Sequence, residues 1–366
     1  DRSGAVAVPS YQSATFAHPG VNQSTGYDYS RQQNPTREAA ERTVARLEHG
    51  TDALAFSSGM AAVATLMELF APGDHIIATD DLYGGSIRLF SHISKKNGVD
   101  VTYLNTGDPA AVERAITART RAVFVETPTN PMMFVTDIAA VASLLRGKDI
   151  LLIVDNTFLT PYFQQPLALG ADIVLHSGTK YLGGHNDTLA GFLVTADAAI
   201  AERLRFIHKT IGACLAPFDS FLLIRGMKTL ALRMERAQAN AIALADWLTA
   251  QRKVAAVYYP GLKTHPAYSV SVRQATGFGA MISFETDTEE TARRILENVR
   301  LILFAESLGG VETLITYPML QTHADVPREE REARGIHERL LRISVGIENS
   351  GDIIADLDQA MNGVRV

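Results

Sequence analysis

Cysteine is almost missing from this 366-residue chain, with Cys214 the single example. No intrachain disulfide framework can form, and such usage suits a reducing cytosol. Following the small-residue segment Ile211-Gly212-Ala213, the lone thiol reads as a packing residue rather than a catalytic one. Long apolar runs are missing too; none approaches the ~20 residues of a membrane span. Net charge is modest, −6 with a pI of about 5.9, so nothing draws the chain to nucleic acid or to an anionic membrane. Of the ten histidines none sits in HExxH or another compact metal-ligand spacing. His176, His185 and His323 therefore read as structural or supporting residues, and no metal is expected. Neither GxGxxG nor GxxxxGKS/T occurs, which leaves a dinucleotide or P-loop reading without its phosphate loop. Internal repeats and low-complexity tracts are absent. No basic-then-apolar leader is seen, and the chain opens on Asp1 rather than methionine. The expectation is a cytoplasmic protein with further residues ahead of Asp1.

What is present is a rhythm. Between Ala53 and about Val194 short β-rich runs alternate with amphipathic stretches. Strands are predicted at Ala53–Phe56, His75–Thr79, Val99–Leu104, Ala122–Glu126, Leu151–Asp155 and Ile173–Leu175. Helices are predicted at Gly59–Phe70, Gly85–Lys96 and Pro109–Thr117. This alternation predicts an α/β fold with a mostly parallel sheet covered on both faces. A long proline-free helix is expected over Phe218–Gln251, then shorter segments at Ala280–Glu285, Thr288–Asn298, Leu340–Ile347 and Ile353–Met361. The predicted organisation is an arm over residues 1–45, a large domain over 46–230 and a smaller α+β domain over 231–366.

Chemistry concentrates where strands end. Lys180 lies in His176-Ser177-Gly178-Thr179-Lys180-Tyr181, one amine between small hydroxyls just past an apolar run. Such a lysine suits a Schiff base with an aldehyde cofactor. Asp155 closes Leu151 to Val154, where a buried carboxylate costs several kcal/mol unless it meets a cation or strong donors. A protonated pyridine nitrogen is such a partner. Ser57-Ser58-Gly59-Met60 marks a strand-to-helix junction, with the amides of Gly59 and Met60 placed to meet a phosphate. A plain Ser-capped helix start explains the same residues. Ser177 and Thr179 offer further hydroxyls on the far side. Tyr83, ahead of Gly84-Gly85, is placed either to stack on a flat ring or to sit on a surface turn. Thr127-Pro128-Thr129-Asn130-Pro131 aims Asn130 toward the same point, or simply ends a strand. Tyr29 and Arg31 lie in the arm as a pair suited to phosphate. Arg342, inside apolar Leu340 to Val345, calls for a bidentate carboxylate, whether a substrate's or a structural salt bridge's. Glu306 adds an acid on a turn.

Together, Tyr27-Asp28-Tyr29-Ser30-Arg31, Ser177-Gly178-Thr179-Lys180-Tyr181 and Arg342-Ile343-Ser344-Val345-Gly346 resemble the Cys/Met-metabolism family of pyridoxal-phosphate enzymes, nearly end to end. That family includes cystathionine γ-synthases, O-acetylhomoserine thiol-lyases, cystathionine γ- and β-lyases and methionine γ-lyases. The resemblance implies a fold-type I homotetramer, a dimer of dimers with sites shared between subunits, and pyridoxal 5′-phosphate as cofactor. It implies that Lys180 carries the cofactor, Asp155 meets the ring nitrogen and Tyr83 stacks on the ring, with Thr157 supporting it. Gly59, Met60, Ser177 and Thr179 would hold the phosphate, joined by Tyr29 and Arg31 of a neighbouring subunit. Asn130 and Arg342 would take the substrate carboxylate, Asn130 also approaching the phenolic oxygen. Ser307 and Thr322 would wall the substrate, and Arg88 would work with Glu306 at its distal end. Lys180 to Asp187, Ala216 to Ser220 and Ala305 to Glu312 look most like bacterial cystathionine γ-synthases that also accept sulfide. Asp81 to Ser86 lacks the cysteine associated with methionine γ-lyases. The activity implied is γ-replacement on an O-acylhomoserine by cysteine or sulfide, giving cystathionine or homocysteine. The nearest alternative is a cystathionine γ- or β-lyase. A nicotinamide oxidoreductase predicts a glycine-rich first turn, which is absent. An inactive scaffold predicts loss of Lys180 or Asp155, and both are present.

Overall fold

Apolar strand runs demand cover on both faces, and that demand sets the architecture. The computed structural model of the chain describes residues 4–321 and 328–363. Its larger sheet is seven-stranded: β1 (Asp52–Phe56), β2 (His75–Thr79), β3 (Asp100–Leu104), β4 (Thr120–Glu126), β5 (Leu151–Asp155), β6 (Ile173–Ser177) and β7 (Gly191–Thr195), in the order β1-β7-β6-β5-β4-β2-β3. Every pairing is parallel except the two made by β7. The alternation of side chains shows the layering: along β1, Ala53 and Ala55 enter one core and Leu54 and Phe56 the other. A second sheet holds β8 (Val254–Tyr258), β9 (Met281–Thr286), β10 (Leu303–Phe304), β11 (Leu314–Thr316) and β12 (Leu340–Ser344), ordered β10-β11-β12-β9-β8 and mostly antiparallel. The mixed α/β class with a mostly parallel large sheet stands as expected.

After β3 the chain crosses to the other side of β2 to lay down β4. Such a reversal opens a crevice at the carboxyl ends of the strands. The segments after β2, β4, β5 and β6 all emerge there, and register sets them level: Glu126 pairs with Asp155, and Asp155 with Leu175.

Three local expectations need correction. Residues 35–47, read as part of an extended arm, form a helix, Pro35–Leu47. Its start is well signalled, since Asn34 Oδ1 accepts from the Thr36 and Arg37 amides ahead of a proline at the first turn. Its buried face mixes apolar Ala40, Val44 and Ala45 with polar Thr36, Arg37 and Glu41, however. Arg37 and Glu41 lie buried as an ion pair, 3.6 Å apart, so apolar periodicity is weak there. The single helix over Phe218–Gln251 is two, Pro217–Met227 and Leu230–Thr249. The break follows Gly226, where a Cβ would lie 2.2 Å from the Gly183 carbonyl oxygen. The Gly226 carbonyl accepts from the Thr229 amide at 3.1 Å and from the Arg233 guanidinium at 2.9 Å. The helix over Gly85–Lys96 is an α-turn, Gly84–Arg88, that widens into a π-helix, Leu89–Ser94. Strand β7 is an addition to the strands expected from the sequence. Among the described residues, no helix is long and apolar enough to cross a membrane, and no cluster of His, Cys, Asp or Glu is arranged to hold a metal ion.

Candidate active site

The crevice contains a cavity of about 340 Å³, within the ~300–1,000 Å³ typical of small-molecule sites. Its wall includes Gly59, Met60, Tyr83, Asn130, Asp155, Thr157, Ser177, Thr179, Lys180, Glu306, Ser307 and Arg342, gathered from both sheets. These positions span nearly the whole sequence, and the fold brings them to one point.

One end is built for an anion. Ser58 caps the helix Gly59–Met67, its Oγ accepting from the Ala61 amide at 3.0 Å. The capping alternative is therefore real, and it coexists with the other reading. A capped helix leaves its first amides, here those of Gly59 and Met60, outside the helical ladder. A Cβ on Gly59 would sit 3.1 Å from that of Ser177, so only glycine keeps this corner open. Thr179 Oγ1 donates to the Ala190 carbonyl at 3.2 Å and accepts the Ala190 amide at 3.0 Å, which fixes the hydroxyl loop.

At the centre lies Asp155. Its Oδ1 accepts two bonds from Thr157, from the hydroxyl at 2.5 Å and the amide at 3.0 Å. Thr157 Oγ1 in turn accepts the Ser177 amide at 2.9 Å, tying β5 to β6. Among the described residues no hydrogen bond falls on Oδ2. Burial pushes the Asp155 carboxyl up, against the Thr157 bonds and the attraction of His176. Tyr83 lines the same cavity, 42% exposed, its ring packed so that a Cβ on Gly85 would come within 2.5 Å of it.

Lys180 Nζ donates to Ser307 Oγ at 2.8 Å. Burial, with help from the Arg342 charge, pushes its amine down to about 8, while Glu306 pulls the other way. About a tenth of the amine is thus free at pH 7, far more than for an ordinary lysine. The sign of the Glu306 effect is checkable. Condensation of Lys180 with pyridoxal phosphate needs the free amine, so its rate should rise with pH to a midpoint near about 8. Glu306→Gln removes the charge that favours the ammonium, and stopped-flow absorbance should show the midpoint moved to lower pH.

Arg342 closes the other end, 1% exposed. Its guanidinium donates to Asn130 Oδ1 at 2.7 Å, to the Ser307 carbonyl at 3.0 Å and to Thr316 Oγ1 at 3.2 Å. Nε is buried with no partner. Among the described residues no carboxylate lies within ion-pair distance, so the structural salt bridge weighed for Arg342 is not formed. Burial lowers the guanidinium to about 10, still cationic at neutral pH. Ser307, which touches both Lys180 and Arg342, has φ +87°, a left-handed backbone that costs a serine about 1–3 kcal/mol.

Several expected residues are elsewhere. Arg88 is exposed at the end of Gly84–Arg88 and does not line the cavity. Tyr29 and Arg31 are exposed in the arm, the guanidinium 5.6 Å from the tyrosine ring centroid and hydrogen-bonded to the Lys209 carbonyl at 2.5 Å. Thr322 and His323 lie outside the described residues. The ionisable wall residue that escaped the sequence reading is Glu126. Glu126 ends an apolar strand as Asp155 does, so the same signal could have found it. A second opening of about 970 Å³ shares Thr179, Leu189, Glu306 and Ser307 with the first and is rimmed by Asp187, Asp219 and Glu312.

Comparison with known proteins agrees with this geometry. The family model for Cys/Met metabolism PLP-dependent enzymes matches residues 1–362. A cystathionine β-lyase of Coxiella burnetii is 49% identical, over 98% of this chain and 94% of its own. A cystathionine γ-synthase of Haemophilus influenzae is 48% identical, over 100% and 95%. The solved structure of a Lactobacillus plantarum cystathionine γ-lyase complexed with L-serine superposes with a TM-score of 0.96 at 47% identity, over 98% and 94%.

Proposed function

This chain belongs to the Cys/Met metabolism family of PLP-dependent enzymes, and from that premise we propose that it works at the γ-carbon of a homoserine-derived amino acid. Cysteine or sulfide replaces the acyloxy group of an O-acylhomoserine, giving cystathionine or homocysteine and the free acid. The observation that carries this reading is Glu306. It stands on the wall shared by the two openings, and Lys180 responds to its charge. The wider opening beyond it is rimmed by acids, which suits the ammonium of an amino-acid thiol.

The cofactor is pyridoxal 5′-phosphate, and the donors present fit it. The Gly59 and Met60 amides with Ser58, Ser177 and Thr179 would hold its phosphate. Asp155 would face the ring nitrogen and Tyr83 the ring plane. Arg342 Nε, buried and unpartnered, leaves a donor for the substrate carboxylate beside Asn130. When bound, the cofactor supplies an electron sink that makes protons on the neighbouring substrate carbons acidic. Lys180 Nζ then takes the Cα proton and, as γ-chemistry requires, serves Cβ as well. Ser307 Oγ holds Nζ between these positions. The acyloxy group leaves from Cγ, and the thiol adds there. Tyr29 and Arg31, exposed in the arm, serve the phosphate end of a neighbouring copy in a homotetramer.

Cleavage of cystathionine to a thiol, ammonia and a keto acid is the second reading, supported by the matched lyases. Steady-state rates decide between them. Cystathionine formation from O-acetyl- or O-succinylhomoserine with cysteine should outpace keto-acid release from cystathionine alone. The reverse order would make the protein a lyase.

A further inference from the structure

Two carboxylates face this cavity side by side, and the reading above uses only one. Glu126 ends β4 as Asp155 ends β5, and the two are register partners on adjacent parallel strands. Partnered residues project to the same face, about 5 Å apart at the backbone. Glu126 is buried, and its Oε2 accepts the Tyr83 amide at 3.0 Å, so it also anchors the residue that covers the ring. We propose that Glu126 is a positioning residue that works in its protonated form, holding Tyr83 by its acceptor oxygen and leaving Asp155 as the sole negative charge beneath the cofactor ring.

The donors decide where the shared proton goes. Asp155 receives a hydroxyl and an amide on one oxygen, both stabilising the anion. Glu126 receives a single backbone amide, a weaker pull toward the anion than the two donors on Asp155. The charged surroundings point the same way. Burial first, then Asp155 on β5 and Asp81 after β2, push Glu126 up, against the Tyr83 amide and Arg342 on β12. Asp81 itself is engaged elsewhere, by the Thr129 hydroxyl at 2.5 Å and the Met132 amide at 3.0 Å. Two ionised acids here would attract a ring cation more strongly, but they would repel each other in every cofactor-free molecule. One proton removes that repulsion without removing the ring's partner. The arrangement does not depend on whether the enzyme replaces or eliminates; it rests only on the ring lying against Asp155.

A carboxyl C=O stretch distinguishes the protonated acid directly. Infrared spectra in heavy water at neutral pH should show that band in the wild-type chain, and a wild-type minus Glu126→Gln difference should isolate it. Pyridoxal-phosphate affinity supplies an independent readout, titrated by tyrosine fluorescence and visible absorbance. Glu126→Ala drops the Tyr83 anchor and should weaken binding by about tenfold, and Glu126→Gln, which accepts and donates as a protonated glutamate does, should recover most of that loss. The inference is overturned if no carboxyl band disappears in Glu126→Gln, or if glutamine weakens binding as much as alanine. A wild-type chain that takes up no cofactor would instead refute the family-level site. Thermal melting of each variant separates misfolding from these outcomes.

Discussion

Replacing Lys180 by alanine is expected to abolish turnover, with kcat down by at least ~10³-fold, while the cofactor still binds through its phosphate. Among the described residues Nζ is the only side-chain amine on the cavity wall, and its burial holds it at about 8. Its nearest described neighbours do not substitute. Ser307 Oγ, 2.8 Å away, is a hydroxyl without a base of its own, and Arg342 stays cationic. Borohydride should fix the cofactor to the wild-type chain, visible as a mass increase, and should leave Lys180→Ala unlabelled. Stability should change little, by about 1 kcal/mol, because one hydrogen bond is lost and a buried amine no longer needs desolvating. Retained turnover would overturn the assignment of Lys180.

Strand ends were legible because burial is expensive for charge. Asp155 and Lys180 stand out in sequence as ionisable groups abutting apolar runs, and both line the cavity. The parallel core was legible for a related reason, as its strands are apolar on both faces. What failed to show was polar burial compensated from afar. Arg37 and Glu41 pair at 3.6 Å inside the helix Pro35–Leu47, the guanidinium donating to the Ser30 carbonyl and Glu41 accepting the Ala55 amide at 3.0 Å, and no local pattern reveals that. The same holds for Glu48, 128 residues from its buried partner His176, with Oε1 2.6 Å from Nε2. Gly226 breaks a helix through contact with a loop forty-three residues earlier (226 − 183), a tertiary cause that propensity does not carry. Ser307 belongs to the same class. Its left-handed backbone follows from serving Lys180 and Arg342 at once, and a serine in sequence gives no hint of it.

Arg342→Lys is expected to lower kcat/KM by about 10²-fold or more, chiefly through KM, although it conserves the charge. The guanidinium already serves Asn130, the Ser307 carbonyl and Thr316, and still keeps Nε unpartnered. An ammonium is a single point of charge with three rotatable donors. It cannot hold Asn130 in place, restrain the strained Ser307 and meet a carboxylate in a forked geometry together. Two charge-assisted bonds at about 1.5–3 kcal/mol each set the expected size. A melting-temperature drop alone would indicate a purely structural arginine, so the test needs a second leg. The same variant is assayed with a substrate whose carboxylate is replaced by a neutral amide. If Arg342 grips that carboxylate, wild type and Arg342→Lys should differ far less on the amide than on the acid, a coupling that isolates this one contact. An equal penalty on both substrates would place the carboxylate elsewhere and leave the unpartnered Nε without its occupant.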